Sequence, residues 1–91
     1  MNKHERLVFF VDIFARNYVR GGPGRDEIVE AAINRTPEEI ELIDDSGNNL
    51  MKEAMAFMKY YRHPVDVPAP EWVIEGKKKH REAQEAKARL L

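Results

Sequence analysis

Few side chains in this sequence can act as nucleophiles. The 91 residues include one serine, Ser46, one threonine, Thr36, and no cysteine. Covalent catalysis needs a hydroxyl or thiol next to a group that activates it, and Thr36 lies where it is predicted to cap a helix. The sequence therefore offers almost no candidate for an activated nucleophile.

Metal and acid–base chemistry have no better support. The three histidines, at positions 4, 63 and 80, are far apart, and the nearest approach to metal-ligand spacing is His63 followed by Asp66. The carboxylates are numerous but spread along faces predicted to be solvated, whereas paired acid–base catalysis needs a cleft that shifts their pKa values. We predict no catalytic residue, no metal site and no cofactor, and hence no enzyme.

The charged residues are sorted along the chain, although the formal net charge is only −1. Residues 25–49 carry eight Asp or Glu against two Lys or Arg, and residues 71–91 carry four against six. An acidic block is most often a solvated face, and the alternative is a docking surface for a basic partner. Four basic residues near the end of the sequence are candidates for phosphate contact: Lys77, Lys78, Lys79 and Arg81.

One face of the first predicted helix is a candidate for binding another protein. Phe9 and Ile13 lie four positions apart on the side away from the apolar stripe, close to Arg16. Aromatic residues and arginine are enriched at binding hot spots, so this face is interpreted as a partner surface. The alternative is that a later helix covers the face and makes the first helix central in the fold.

The proline-rich segment from Val65 to Pro70 is the second candidate. Proline fixes its own φ and disfavours helix in the residue before it, so we expect an extended segment. Pro68, Pro70 and Trp72 would then dock in a partner's pocket, because such a segment loses little entropy on binding and Trp anchors well. The alternative is that the prolines are a spacer and Trp72 folds back on the preceding helix.

The first helix, which carries Phe9, Ile13 and Arg16, is predicted over Leu7 to Val19, the most apolar stretch of the sequence. Asn2 and Glu5 have the spacing of a capping box, and the segment Gly21-Gly22-Pro23-Gly24 is predicted to end the helix. A strand over Arg6 to Phe10 is disfavoured because the run does not alternate. The residues predicted to face the core are Leu7, Phe10, Val11, Phe14 and Tyr18.

Two more helices are predicted in the middle of the sequence. The first covers Asp26 to Arg35, and the second begins at Pro37, because Thr36 and Glu39 have the spacing of a capping box. The inward residues of the first are predicted to be Ile28, Val29, Ala32 and Ile33. Two alternatives remain for the second: Gly47 favours a break, whereas apolar residues that stay in phase through it favour one helix to about Arg62.

A charged helix is predicted for Glu71 to Leu91. Gly76 weakens this helix, and its apolar face consists only of Ala83, Ala86 and Leu90. We therefore expect this end to fray or to become ordered on a partner. The predicted fold is all-α: a small bundle of three to four helices in residues 1–64, a proline-rich linker in 65–70 and a charged helix in 71–91. With neither a signal peptide nor a membrane span predicted, we expect a cytoplasmic protein.

Residues Ile28 to Ile40, IVEAAINRTPEEI, have the outline of a helix-turn-helix. The helix that would enter the major groove brings Glu38, Glu39 and Glu41 against phosphate, which argues against DNA binding. The same thirteen residues resemble the corresponding stretch of the theta subunit of bacterial DNA polymerase III, a small helical protein that binds the proofreading exonuclease. This resemblance implies the alternative function, a nucleic-acid-associated accessory module such as a polymerase or replication subunit.

The segment Val67-Pro68-Ala69-Pro70 in a small helical protein resembles the anti-RecBCD inhibitors of lambdoid phages. The resemblance implies a phage-encoded protein that inhibits a host nuclease complex in the host cytoplasm. A prolyl isomerase is a further candidate partner, because the two forms of an X-Pro bond differ by only about 0.5–1 kcal/mol. The function predicted first is therefore non-enzymatic binding and inhibition of a partner protein, with nucleic acid an improbable partner.

Overall fold

The computed structural model describes residues 1–18 and 24–90, and in these two ranges the regular structure is helical throughout. The all-α class is therefore confirmed. The five helices are α1 (Lys3–Tyr18), α2 (Gly24–Ile33), α3 (Pro37–Glu41), α4 (Asn49–Arg62) and α5 (Glu71–Arg89). The helix end predicted at residues 21–24 lies outside the described residues, except for Gly24.

Helix α1 is the centre of the bundle, because it packs against both α2 and α4. Its fully buried residues are Leu7, Val11 and Ala15. Phe10 and Phe14 pack at the edge of the same cluster, whereas Tyr18 is 66% exposed, so its prediction as core was wrong. The buried stripe is turned toward Ala15, whose small side chain lets a neighbouring helix approach closely.

Both predicted capping boxes are present. The Asn2 amide donates to Glu5 Oε1 at 3.2 Å, and the Glu5 amide donates to Asn2 Oδ1 at 2.8 Å. At α3, the Glu39 amide donates to Thr36 Oγ1 at 3.2 Å and the Thr36 amide donates to Glu39 Oε1 at 3.3 Å. These reciprocal bonds satisfy amides that a helix start otherwise leaves unpaired.

The helix that begins at Pro37 ends at Glu41, and α4 begins as a separate helix at Asn49. This is the alternative that Gly47 favoured. Gly47 has φ +56°, which a residue with a side chain rarely adopts. The Ser46 amide donates to Asp44 Oδ1 at 3.0 Å, and the Asn49 side chain donates to the Asp44 carbonyl. Residues on both sides of the break are nevertheless buried in one core, which explains their shared phase: Ile40, Ile43, Leu50, Ala54 and Phe57.

The first turns of α5 belong to the core, because Trp72 and Val73 are buried with residues of the other helices. Helix α5 also packs on α3, where Gly76 lies against Glu39. Glu39 is 1% exposed and accepts a hydrogen bond from Arg35 at 3.3 Å. Beyond this contact, every residue from 81 to 90 is exposed, so the end of α5 packs on nothing in the described chain.

Candidate functional site

An open groove of about 790 Å³ runs between α1 and α2. The two helices are antiparallel, since the start of α1 lies beside the end of α2 and the middle of α1 beside the start of α2. The groove is lined by Met1, Asn2, His4, Glu5, Val8, Phe9, Asp12, Arg25, Asp26, Val29, Glu30 and Ile33. Two smaller clefts, of about 390 Å³ and 290 Å³, lie elsewhere on the described chain.

Polar contacts hold the groove open at both ends. At one end, His4 Nε2 lies 2.9 Å from the Ala32 carbonyl oxygen and donates to it. Toward the other end, Asp12 accepts from Arg25 at 3.2 Å and from Arg16 at 2.6 Å. The His4–Ala32 and Arg25–Asp12 contacts bridge α1 and α2, whereas the Arg16–Asp12 pair lies within α1.

The floor of the groove is apolar and accessible. Phe9 is 48% exposed and Ile33 is 50% exposed, while Val8 and Val29 are half-buried between them. The Phe9 ring packs edge-on against Phe10, with 5.9 Å between the ring centroids. The Phe9 ring is therefore packed on one side, and about half of the side chain stays available for contact.

The rims of the groove are acidic. Glu5 and Asp12 on α1 face Asp26 and Glu30 on α2, and among the described residues of the lining Arg25 is the one Arg or Lys. Arg25 is paired with Asp12. Four carboxylates against one guanidinium give the described lining an excess of negative side-chain charge. The groove therefore favours a partner with basic side chains.

The three residues predicted as a partner surface on α1 do not share one site. Phe9 lines the groove, whereas Ile13 is half-buried one turn further along and is not part of the lining. Arg16 is exposed, and its guanidinium binds Asp12. The alternative was that another helix covers this face and makes α1 central. Helix α1 does pack against both α2 and α4, but neither helix covers Phe9 completely.

Two groove residues on α2 were assigned to the core from the sequence. Ile33 is half exposed and Val29 is only partly buried, whereas Ile28 and Ala32 are buried completely. On a wheel of about 100° per residue, Ile28 and Ala32 lie at one edge of this stripe and Ile33 at the other, so α2 buries one edge and leaves the other exposed. The signal for the groove was the width of that stripe, which exceeds what one contact with α1 can cover.

The proline-rich segment does not present Trp72 to a partner. Trp72 is 5% exposed, its ring stacks on Phe57 at 5.8 Å, and Nε1 donates to Glu53 at 2.6 Å. Pro70 is buried, while Pro68 is exposed. The docking interpretation is therefore wrong for Trp72 and Pro70, and the alternative, in which the Trp folds back on α4, is correct.

The segment before Pro68 is also less extended than predicted. The His63 carbonyl accepts from the Asp66 amide at 3.1 Å and from the Val67 amide at 2.9 Å, so the chain turns here. This turn reverses the chain between α4 and α5 and brings Trp72 back over α4. Val65 projects from the turn and is 95% exposed.

The basic residues of α5 remain on the surface. Lys77, Lys78, Lys79 and Arg81 are exposed, but carboxylates at Glu75 and Glu82 flank them. His80 faces α3, where its Nδ1 lies 3.1 Å from Glu38 Oε2. The pKa of Glu38 is lowered, first by the backbone amide at the start of α3 and further by His80, against the opposing effect of burial. None of the four basic residues lines the three described clefts.

A second, smaller cleft lies where α4 and α5 begin. Its lining includes four carboxylates, at positions 44, 53, 71 and 75. The pKa of Asp44 is lowered mainly because the Ser46 amide donates to its carboxylate. The Glu53 carboxylate accepts a hydrogen bond from Trp72 Nε1. The described residues contain no group of three or more metal-ligating side chains placed to hold an ion. The Trp72–Glu53 hydrogen bond joins α5 to α4 at this cleft.

Comparison with known proteins finds no match to this chain, whether among family models, curated proteins or solved structures. Within the part of the chain that the structure describes, no helix has both the length and the apolar character that crossing a bilayer requires.

Proposed function

We propose that this protein acts by binding another protein through the groove between α1 and α2. The observation that supports this most directly is the pair Phe9 and Ile33, two large apolar side chains left about half exposed on opposite walls of one groove. Single exposed apolar residues are common on protein surfaces and indicate no function. A concave surface formed by several apolar residues and bordered by polar ones is typical of an interaction site.

A binding role fits this groove better than a catalytic one. The groove is open along its length and its floor is made of Val8, Phe9, Val29 and Ile33, which supply contact area and no reactive group. His4 Nε2 donates to the Ala32 carbonyl, and this hydrogen bond joins α1 to α2. The side chains available to an occupant are therefore apolar contacts and surface carboxylates.

The resemblance to phage inhibitors suggests which partner to test first. We propose a host nuclease complex, bound and inhibited in the host cytoplasm, as the leading candidate. Pro68 remains exposed beside the chain reversal, so a prolyl isomerase stays a second candidate partner. Both candidates rest on the sequence resemblance, whereas the binding surface rests on the groove.

Comparative capture from a bacterial lysate tests the proposed surface. Tagged parent protein, Phe9→Ser and Ile33→Ser are compared with Val65→Ser, which also removes an exposed apolar side chain but lies outside the groove. We expect Val65→Ser to capture the same protein as the parent and the two groove variants to lose at least about tenfold of it, as central interface residues do. Thermal melts show whether each variant is folded.

The proposed function fails if a protein is captured equally by the parent and by folded Phe9→Ser and Ile33→Ser. It also fails if Val65→Ser loses as much of the captured protein as the groove variants do, because the interaction would then depend on the turn after α4.

A further inference from the structure

The charge and shape of the groove point to the structural class of its occupant. We infer that it is a basic amphipathic helix: a helix of the partner with apolar residues on one side and Lys or Arg on both flanks of that side. This inference rests on the proposed function, because it assigns the partner element of the same groove.

Carboxylates line both rims of the groove. Each helix contributes two carboxylates, Glu5 and Asp12 from α1 and Asp26 and Glu30 from α2, so negative charge lies on both sides of the floor. Asp12 is bound by two guanidinium groups, whereas no ion pair to the other three carboxylates is present among the described residues. An occupant therefore meets acidic side chains on both flanks and gains most if its own flanks are basic.

The floor sets the second requirement. Apolar side chains from both walls form a strip between the acidic rims, and this is the complement of a helix whose apolar face is bordered by cations. The long stems of Lys and Arg can cover the edge of an apolar surface while their charged ends reach a rim carboxylate. A basic flank consequently contributes apolar contact as well as charge.

The backbone of the occupant must also be satisfied. The walls of the groove are helices, whose backbone amides and carbonyls are already paired within each helix. An extended peptide would find no sheet edge to pair with and would leave its own backbone groups unpaired in an apolar strip. A helix pairs its backbone internally and so fits the groove without that cost.

Two synthetic peptides of about 15 residues, long enough to form helix, provide the test. Both carry Leu at helical spacing on one face, and the remaining positions are mainly Lys in one and Glu in the other. Binding of each labelled peptide to the full-length chain is measured by fluorescence anisotropy. We expect the Lys peptide to bind at least about tenfold more tightly than the Glu peptide at low salt, and the difference to shrink as salt is added.

Matched variants locate the bound peptide. Glu30 lines the groove, and Glu27 is an exposed carboxylate on the same helix outside the lining. Glu30→Gln is expected to weaken binding of the Lys peptide about two- to fivefold, as loss of one surface charge contact does. Glu27→Gln is expected to leave it nearly unchanged. Phe9→Ser is expected to weaken it at least about tenfold.

Several outcomes would overturn the inference. Equal binding of the two peptides would show that charge does not select the occupant, and absence of binding by either would show that the groove does not accept such a helix. Lys-peptide binding that persists in folded Phe9→Ser but falls in Glu71→Gln would place the peptide in the second cleft. A dimer seen by sedimentation that Phe9→Ser abolishes would assign the groove to a second copy of this chain.

These failures are distinct from failure of the proposed function. If neither peptide binds but capture from lysate still depends on Phe9 and Ile33, the groove remains a protein-binding surface and only the basic helix is wrong. If capture is independent of both residues, the proposed function itself fails, whatever the peptides do.

Discussion

Replacing Trp72 with alanine is expected to lower the free energy of unfolding by about 3–5 kcal/mol, as truncation of a core aromatic residue does. The Trp72 ring is 5% exposed and stacks on Phe57, which in turn stacks on Tyr61 with 6.3 Å between the ring centroids. Its removal leaves a cavity where α4 and α5 meet and takes the hydrogen-bond donor from Glu53. Chemical denaturation of the purified variant measures the loss.

The control for Trp72→Ala is Ile74→Ala on the same helix. Ile74 is 59% exposed, so its truncation is expected to change the free energy of unfolding by no more than about 0.5 kcal/mol. Trp72→Phe keeps an aromatic ring on Phe57 and is expected to fall between the two. A Trp72→Ala variant as stable as the parent but unable to capture a partner would restore the docking interpretation of the proline-rich segment.

Replacing Gly76 with alanine is expected to destabilise the protein by about 1–2 kcal/mol, although alanine is the better helix former. A Cβ at position 76 would lie 2.3 Å from Glu39 Cγ and 2.5 Å from Glu39 Cα, so α5 would have to move away from α3. Overpacking costs about 1–3 kcal/mol and more where backbone must move. That cost outweighs the gain in helix propensity, which is about 1 kcal/mol.

The direction of the Gly76→Ala effect decides between two explanations of this glycine. If it only weakens an exposed helix, alanine raises the melting temperature, whereas close packing on Glu39 requires that alanine lower it. Gln84→Ala is the control, because Gln84 is exposed on the same helix and is expected to be neutral or slightly stabilising. A melting temperature raised by both substitutions would contradict the packing of α5 on α3.

The sequence alone predicted the local features of this fold well. The capping boxes at Asn2 and Thr36 and the all-α class could be predicted, because they depend on residues three or four positions apart. The break at Gly47 could not be decided, because propensity and periodicity disagreed and the core favours the same phase with or without a break. The described residues therefore form five helices, since α3 and α4 are separate.

Long-range packing was harder to predict. Gly76 was interpreted as a weakness of α5, and its contact with Glu39 could not be foreseen because the two residues are far apart in sequence. Glu39 was recognised as half of a capping box, but its burial beside Arg35 depends on α5 covering it. Trp72 had two open interpretations, and only the chain reversal after α4 decides between them.

The candidate site could be predicted in part. Phe9 was identified because an aromatic residue lies among charged ones on the outer face of α1, and the structure places it in the groove. The opposite wall was missed, since Val29 and Ile33 have the spacing of core residues and only their exposure shows otherwise. The acidic block in residues 25–49 was noted, and two of its carboxylates, Asp26 and Glu30, form one rim of the groove.

Photo-crosslinking from Ile33 is the most direct test that the groove binds a protein. The photoreactive residue p-benzoylphenylalanine is introduced in place of Ile33 and, as a control, in place of Val65, which is 95% exposed but outside the groove. After irradiation in a bacterial lysate, we expect a discrete crosslinked species from position 33 that position 65 does not give. Absence of any crosslink from position 33, or the same set of crosslinks from both positions, would contradict a protein-binding role for this groove.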